Sequence, residues 1–159
     1  MTQSADPKIL MDAPALNEFM TQAFGQPLDW NIERVDLDGV RVRQPTNTGQ
    51  LRPGGTVSGP TLMAMADGVA YMALLSRIGP AALAVTSNLN INFLRRPRLV
   101  DLVTQARPLK IGKNLAVIEV SVFSDSGQAD DLHKPVAHAV VTYSLTLLGA
   151  APVHPESTP

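Results

Sequence analysis

The stretch Ser58–Ile78, SGPTLMAMADGVAYMALLSRI, decides the architecture of this chain. From Ser58 through Ser76 it carries one charge, Asp67, and everything around that carboxylate is apolar, small or hydroxylic. Ser58 suits an N-cap and Pro60 the first helical turn, while Gly79-Pro80 stops the pattern. The punctuation predicts a helix from about Gly59 to Ile78. A helix that is apolar all round belongs in an interior. A carboxylate taken there is costly unless it is paired or hydrogen-bonded, so Asp67 calls for partners or a task.

The apolar run inside this helix, Leu62 to Leu75, is broken by Asp67 and Gly68 and is shorter than the roughly 20 residues that cross a bilayer. The N-terminal MTQSADPKILMDAPALNEFM lacks a basic segment followed by an apolar one, so no signal peptide is expected. The expectation is a soluble, cytoplasmic protein with no membrane partner. The 159 residues suffice for one domain with a real core. Lys and Arg (13) nearly balance Asp and Glu (14), which gives no electrostatic case for a nucleic-acid partner. The absence of cysteine removes a disulfide framework, a thiolate nucleophile and a Cys-based zinc site.

Outward from the helix, PALNEFMTQAFG (14–25) reads as a short helix, with Pro14 at its start and Gly25 at its end. LDWNIERVDLDGVRVRQ (28–44) reads as a hairpin turning at Asp38-Gly39. Residues 45–57, rich in Pro, Gly and Thr, read as a loop. Four strand-like segments follow the long helix. The first, LAVTSNLNINFL, alternates: Val85, Ser87, Leu89, Ile91 and Phe93 face one way, and Thr86, Asn88, Asn90 and Asn92 the other. LVDLVTQARPL, NLAVIEVSVFS and PVAHAVVTYSLTLL complete the set. Residues 1–12 are expected to be loosely ordered, 13–148 to form one domain and 149–159 to be a disordered tail.

Successive strands joined by short turns make an antiparallel sheet with one apolar face. The expected fold class is therefore α+β, with a curved antiparallel sheet wrapped around the long central helix and a further N-terminal helix. This is the hotdog arrangement, although composition alone permits other α+β layers.

RPGGTVSGPTLMAMAD (52–67) resembles the hotdog-fold acyl-CoA thioesterases, nearest to the phenylacetate-pathway group related to 4-hydroxybenzoyl-CoA thioesterase. That group reads Asn-Pro-x-Gly-Thr-x-His-Gly-Gly, then six residues, then Asp. Pro53, Gly55, Thr56, Gly59 and Asp67 fall on matching positions. VTSNLNINFLRRP is similar to the strand that follows the family's helix, with Thr86 at its hydroxyl position. The resemblance spans roughly residues 30 to 148. Arg52 stands for the family Asn, Ser58 for the His and Pro60 for the second Gly.

The resemblance implies hydrolysis of an acyl-CoA thioester to free acid and CoA, with no metal or redox cofactor. Asp67 would be general base or nucleophile, and the Gly59 N–H would polarise the carbonyl. Thr86 would orient the attacking water. Eight residues separate Gly59 from Asp67, about 12 Å along a helix, too far for both to serve one carbonyl. The family builds its sites across a dimer interface, so a homodimer or a dimer of dimers is expected.

Arg95, Arg96 and Arg98 read either as a solvated turn or as a clamp on coenzyme A phosphates, with Lys110 and Lys113 as weaker candidates. Arg52, Ser58 and Met63 are further candidates for substrate contact. Met63, Met65 and Met72 otherwise read as core, and the histidines as surface or sheet residues. Few aromatics lean the acyl group toward an aliphatic chain. The rival reading is a hotdog module that binds acyl-CoA without turnover. A hydratase has less support, because no Asp–His pair opens the helix.

Overall fold

Helix α2 spans Gly59–Ile78, as the punctuation predicts. The protein is described here from a computed structural model covering residues 7–81 and 83–146. Ser58 is the N-cap, its hydroxyl accepting from the Thr61 N–H, and Gly79 closes the far end by donating to the Leu75 carbonyl. Twenty residues match the length of a bilayer span, but Leu62, Met65, Val69, Met72 and Leu75 are buried against the protein itself. The helix is not buried all round, however. Pro60, Met63 and Ala64 are exposed, a stripe that continues from Gly59 to Asp67 at i, i+4 spacing.

The rest of the chain supplies α1 (Ala13–Phe24) and the strands β1 (Asn31–Asp36), β2 (Gly39–Gln44), β3 (Leu51–Arg52), β4 (Thr56–Val57), β5 (Val85–Phe93), β6 (Asp101–Ile111), β7 (Leu115–Asp125) and β8 (Ala137–Ser144). Six of the strands form one antiparallel sheet in the order β1-β2-β6-β7-β8-β5, and β3 pairs with β4 in a separate short hairpin. The segment read as a plain loop, 45–57, thus contains a 3-10 turn and this hairpin. The sheet's inward residues, among them Val42, Leu102, Ile118, Val120, Val141 and Tyr143, close over α2. This is the hotdog fold. The four long strands do not run in sequence across the sheet. β5 pairs with β8 rather than with β6, so it occupies one edge and the Arg95–Arg98 turn carries the chain across to β6.

Two local readings change. The β1–β2 turn consists of Leu37 and Asp38, closed by Asp36 Oδ1 accepting from the Asp38 and Gly39 N–H groups at 2.9 and 3.1 Å. Gly39 is not a turn residue but the first of β2, where φ is 139° and a Cβ would collide with the Ala106 carbonyl. In β5 the pairing with β8 slips between Thr86 and Asn88, so that these two oppose the consecutive residues Tyr143 and Thr142. The bulge reverses the alternation. Thr86 therefore shares the inner face with Leu89 and Ile91, not the exposed face of Asn88, Asn90 and Asn92.

Helix α1 begins on the Asp12 side chain, which accepts from the Ala15 N–H at 3.0 Å, ends at Gly25 (φ 71°), and buries Leu16 and Met20. The segment before it is tied down from Leu10 onward. The Leu10 and Met11 N–H groups donate to the Ser76 carbonyl at 2.7 and 3.4 Å, and Met11 is buried. Residues 1–6 and the tail 149–159 lie outside the described residues.

The single tryptophan, Trp30, brings the outer edge of its six-membered ring against Gly68 of α2, where a Cβ would run into the indole ring. Leucine at this position is a better helix former than glycine, so any loss of stability measures the steric conflict. Gly68→Leu is expected to lower stability by about 1–3 kcal/mol and to shift Trp30 emission to the red. Denaturant unfolding followed by fluorescence checks both. An unchanged midpoint and spectrum would show that the two do not touch.

Candidate active site

Asp67 sits halfway along α2, half-buried, and its carboxylate is held by the sheet. Thr86 Oγ1 donates to Asp67 Oδ1 at 2.8 Å. The Tyr143 hydroxyl lies 2.9 Å from the same Oδ1 and 2.7 Å from the Asp67 carbonyl oxygen, so its one proton is shared between them. Burial first, and then the Asp67 charge, push the Tyr143 hydroxyl above its ordinary range, which keeps it a donor. Oδ2 receives no hydrogen bond from the described residues. The carboxylate is thereby fixed by one oxygen and left unbonded at the other, and Asp67 lines a cavity of about 410 Å³ together with Phe24, Gly68, Tyr71, Thr86 and Tyr143.

Although the chain is poor in aromatics, this cavity is walled by them. Phe24, Tyr71 and Tyr143 line it; the Tyr71 and Tyr143 rings stack at 6.0 Å, and outside the lining Phe19 packs on Tyr71 at 6.3 Å and Trp30 touches Gly68. An aliphatic preference drawn from composition therefore does not extend to the surface beside Asp67. Tyr143 and Tyr71 were not singled out in the sequence. The available signal for Tyr143 was its place on the inward parity of β8, with Ala137, Ala139 and Val141, where a phenol requires an acceptor.

Gly59 opens into a different cavity, of about 480 Å³, lined by Arg52, Leu62, Phe93, Arg95 and Arg96 among others. The Phe93 ring lies against Gly59, 3.3 Å from where a Cβ would stand. Arg52 reaches this cavity from the β3–β4 hairpin, whose turn the Gly55 N–H closes on the Arg52 carbonyl at 3.1 Å. Pro53 and Gly54 (φ 103°) occupy the turn positions that favour those two residues. The Val57 N–H donates to the Pro97 carbonyl at 3.2 Å and so ties this hairpin to the arginine turn.

The structure separates the three turn arginines. Arg95 lines the cavity while its Nη1 donates to the Pro135 carbonyl at 2.7 Å, and Arg96 lines it with no ion pair to the described residues. Arg98 does not join them. It pairs with Asp131 at 2.8 Å, a carboxylate that also accepts from the Ser126 hydroxyl and from the Ser126 and Gln128 N–H groups. The Ser126 hydroxyl and N–H, with smaller help from Arg98, hold the Asp131 carboxyl down to about 2. Ser58 is occupied as the helix cap, its hydroxyl 2.9 Å from that of Thr61. Met65 and Met72 are core, whereas Met63 is 41% exposed on the open stripe of α2 and lines neither cavity.

The model of the thioesterase superfamily matches residues 54–129, a span that contains Gly59, Asp67 and Thr86. A protein of Silicibacter sp. TM1040, named as a candidate thioesterase, is 37% identical. Its structure superposes with a TM-score of 0.73 over 86% of this chain and 93% of its own. A protein of Ralstonia eutropha JMP134, named as a candidate thioesterase related to phenylacetic acid degradation, is 28% identical. It covers 80% of this chain and 99% of its own with a TM-score of 0.65. A candidate esterase of Thermoplasma acidophilum is 22% identical over 110 residues, 69% of this chain and 83% of that one. The matched span, the relative aligned along nearly its whole length and the shared architecture agree: the chain belongs to the thioesterase superfamily, the hotdog-fold hydrolases of thioester bonds.

Proposed function

We propose that the protein hydrolyses acyl-CoA thioesters, with the site assembled from two chains. One observation carries this reading: Asp67 lines a cavity and is held through Oδ1 by Thr86 and Tyr143, while Oδ2 receives no hydrogen bond from the described residues. A carboxylate so fixed has one oxygen for structure and one for chemistry. As general base, Oδ2 takes a proton from a water that attacks the thioester carbon. The carbonyl electrons move to oxygen, which the Gly59 N–H at the positive end of α2 stabilises. Collapse expels CoA as its thiolate, and the proton held by Asp67 returns to the sulfur. As nucleophile, the same oxygen would attack the carbon directly to form a mixed anhydride, which water then opens. The Thr86 proton is committed to Asp67, so toward water Thr86 acts only as an acceptor.

Two features support a second chain. Gly59 and Asp67 of one chain open into separate cavities, in keeping with the roughly 12 Å between them along the helix. In addition, β5 is an edge strand with unpaired backbone groups, and Phe93 on that strand and Met63 on α2 are exposed apolar residues. An edge strand with an apolar flank is a template for pairing. A homodimer that covers them would bring Gly59 of one chain to Asp67 of the other. The test of activity is a panel of acyl-CoA substrates with the released thiol as readout. Failure to release thiol from any of them would favour the binding-module reading.

The turn arginines are assigned to coenzyme A, but only two of the three. Arg95→Ala with Arg96→Ala is expected to raise KM for acyl-CoA severalfold and to weaken its dependence on salt. Arg98→Ala should leave KM unchanged, because its guanidinium belongs to Asp131. Steady-state kinetics on an acyl-CoA and on a short thioester without the nucleotide separate the outcomes. Equal losses on both substrates would make the arginines structural.

A further inference from the structure

Three arginines line the Gly59 cavity, and no carboxylate of the same chain does. Arg95 is partly engaged at the Pro135 carbonyl, whereas the Arg52 side chain has neither a hydrogen bond nor an ion pair with any described residue. Arg52 also comes from a different element, the β3–β4 hairpin, not the β5–β6 turn. Its position is set by backbone. It pairs with Thr56, three residues before Gly59, and the hairpin is pinned at Val57 to Pro97. Thr56, the cross-strand partner of Arg52, is therefore roughly 10 Å of extended chain from the Gly59 amide, and Arg52 lines the same cavity as that amide.

A thioester bound with its carbonyl at Gly59 has two arms, CoA and acyl, which diverge from the carbonyl carbon. With CoA on Arg95 and Arg96, the acyl arm passes the other source of charge in the cavity, Arg52. The remaining walls are apolar: Val57, Leu62, Phe93 and Leu94. A plain alkyl chain laid there would cover a guanidinium that no carboxylate of its own chain pairs, which costs free energy. A carboxylate on the chain removes that cost and gains a charge-assisted pair that arginine geometry favours.

Building on the acyl-CoA reading above, we infer that the preferred acyl group is a short one carrying a terminal carboxylate, and that Arg52 is the residue that selects it. The carboxylate sits a few carbons from the thioester, because Arg52 and Gly59 line the same cavity.

The experiment compares adipoyl-CoA with hexanoyl-CoA, which match in length and differ in the terminal carboxylate. Wild-type protein is expected to favour adipoyl-CoA in kcat/KM. Arg52→Gln should reduce the ratio of the two kcat/KM values by at least about tenfold, the lower range for a hydrogen bond to a charged group. Arg52→Lys, which keeps the charge, should retain part of the preference. Because Arg52 is exposed and unpaired, both variants should fold, and melting temperatures check this. Hydrolysis of hexanoyl-CoA with no preference for adipoyl-CoA, or a ratio that Arg52→Gln leaves unchanged, would overturn this inference alone. Hydrolysis of neither thioester, with thiol released from another acyl-CoA of the panel, would likewise overturn this inference alone, whereas release from none would overturn the acyl-CoA reading together with it.

Discussion

Asp67→Asn is expected to lower kcat by at least about 10²-fold while the protein stays folded. The pattern of bonds around the carboxylate explains why the two effects separate. Asparagine keeps an oxygen where Thr86 and Tyr143 now donate to Oδ1, at 2.8 and 2.9 Å, so the link from α2 to β5 and β8 survives. The amide nitrogen falls at the Oδ2 position, which has no partner among the described residues to lose. What disappears is the one oxygen able to take a proton or attack carbon. Turnover of an acyl-CoA and a thermal melt, measured on the same preparation, check both halves. Wild-type turnover in the variant would remove Asp67 from the chemistry. Asp67→Ala is the harsher control: Tyr143 retains the Asp67 carbonyl as an acceptor at 2.7 Å, but Thr86 loses its partner, and the melt should move down.

How much of this site could be read in the sequence depended on whether the physics was local. Helix α2 was legible because Ser58, Pro60 and Gly79 mark its ends by backbone chemistry alone. The separation of Gly59 from Asp67 was legible for the same reason, since the rise of a helix does not depend on its surroundings. The face of Thr86 was not. One extra residue at Ser87 reverses every later position, and nothing in VTSNLN distinguishes a bulged strand from a straight one. The placement of β5 at the sheet edge beside β8 was equally invisible, because inward and outward alternation reads the same in any strand order. Arg98 differs from Arg95 and Arg96 only through Asp131, a carboxylate far along the chain that the turn sequence does not contain. The openness of α2 at Met63 and Ala64 depends on what lies beyond one chain, and composition could only say that the helix prefers cover.

That open face leads to the second large effect. Chains carrying Asp67→Asn and chains carrying Gly59→Val are each expected to be inactive, and co-refolding them should restore about a quarter of wild-type turnover. Gly59→Val acts at the other end of the helix. Its side chain presses on the Phe93 ring, already 3.3 Å from a simple Cβ, and fills the space in front of the amide that would hold the oxyanion. If a site takes Gly59 from one chain and Asp67 from the other, a mixed dimer has one site with both defects and one site with neither. Random pairing makes about half of the dimers mixed, each with one of two sites intact, hence the quarter. If instead one chain supplied both groups to one carbonyl, every site in every dimer would carry a defect, and mixing would restore nothing. The helix already argues against that arrangement, since Gly59 and Asp67 open into separate cavities. Sedimentation of the wild-type protein gives an independent check, because a monomer at full activity is incompatible with a shared site. Recovered activity in the mixture, absent from both parents and dependent on co-refolding, is the result that a two-chain site requires.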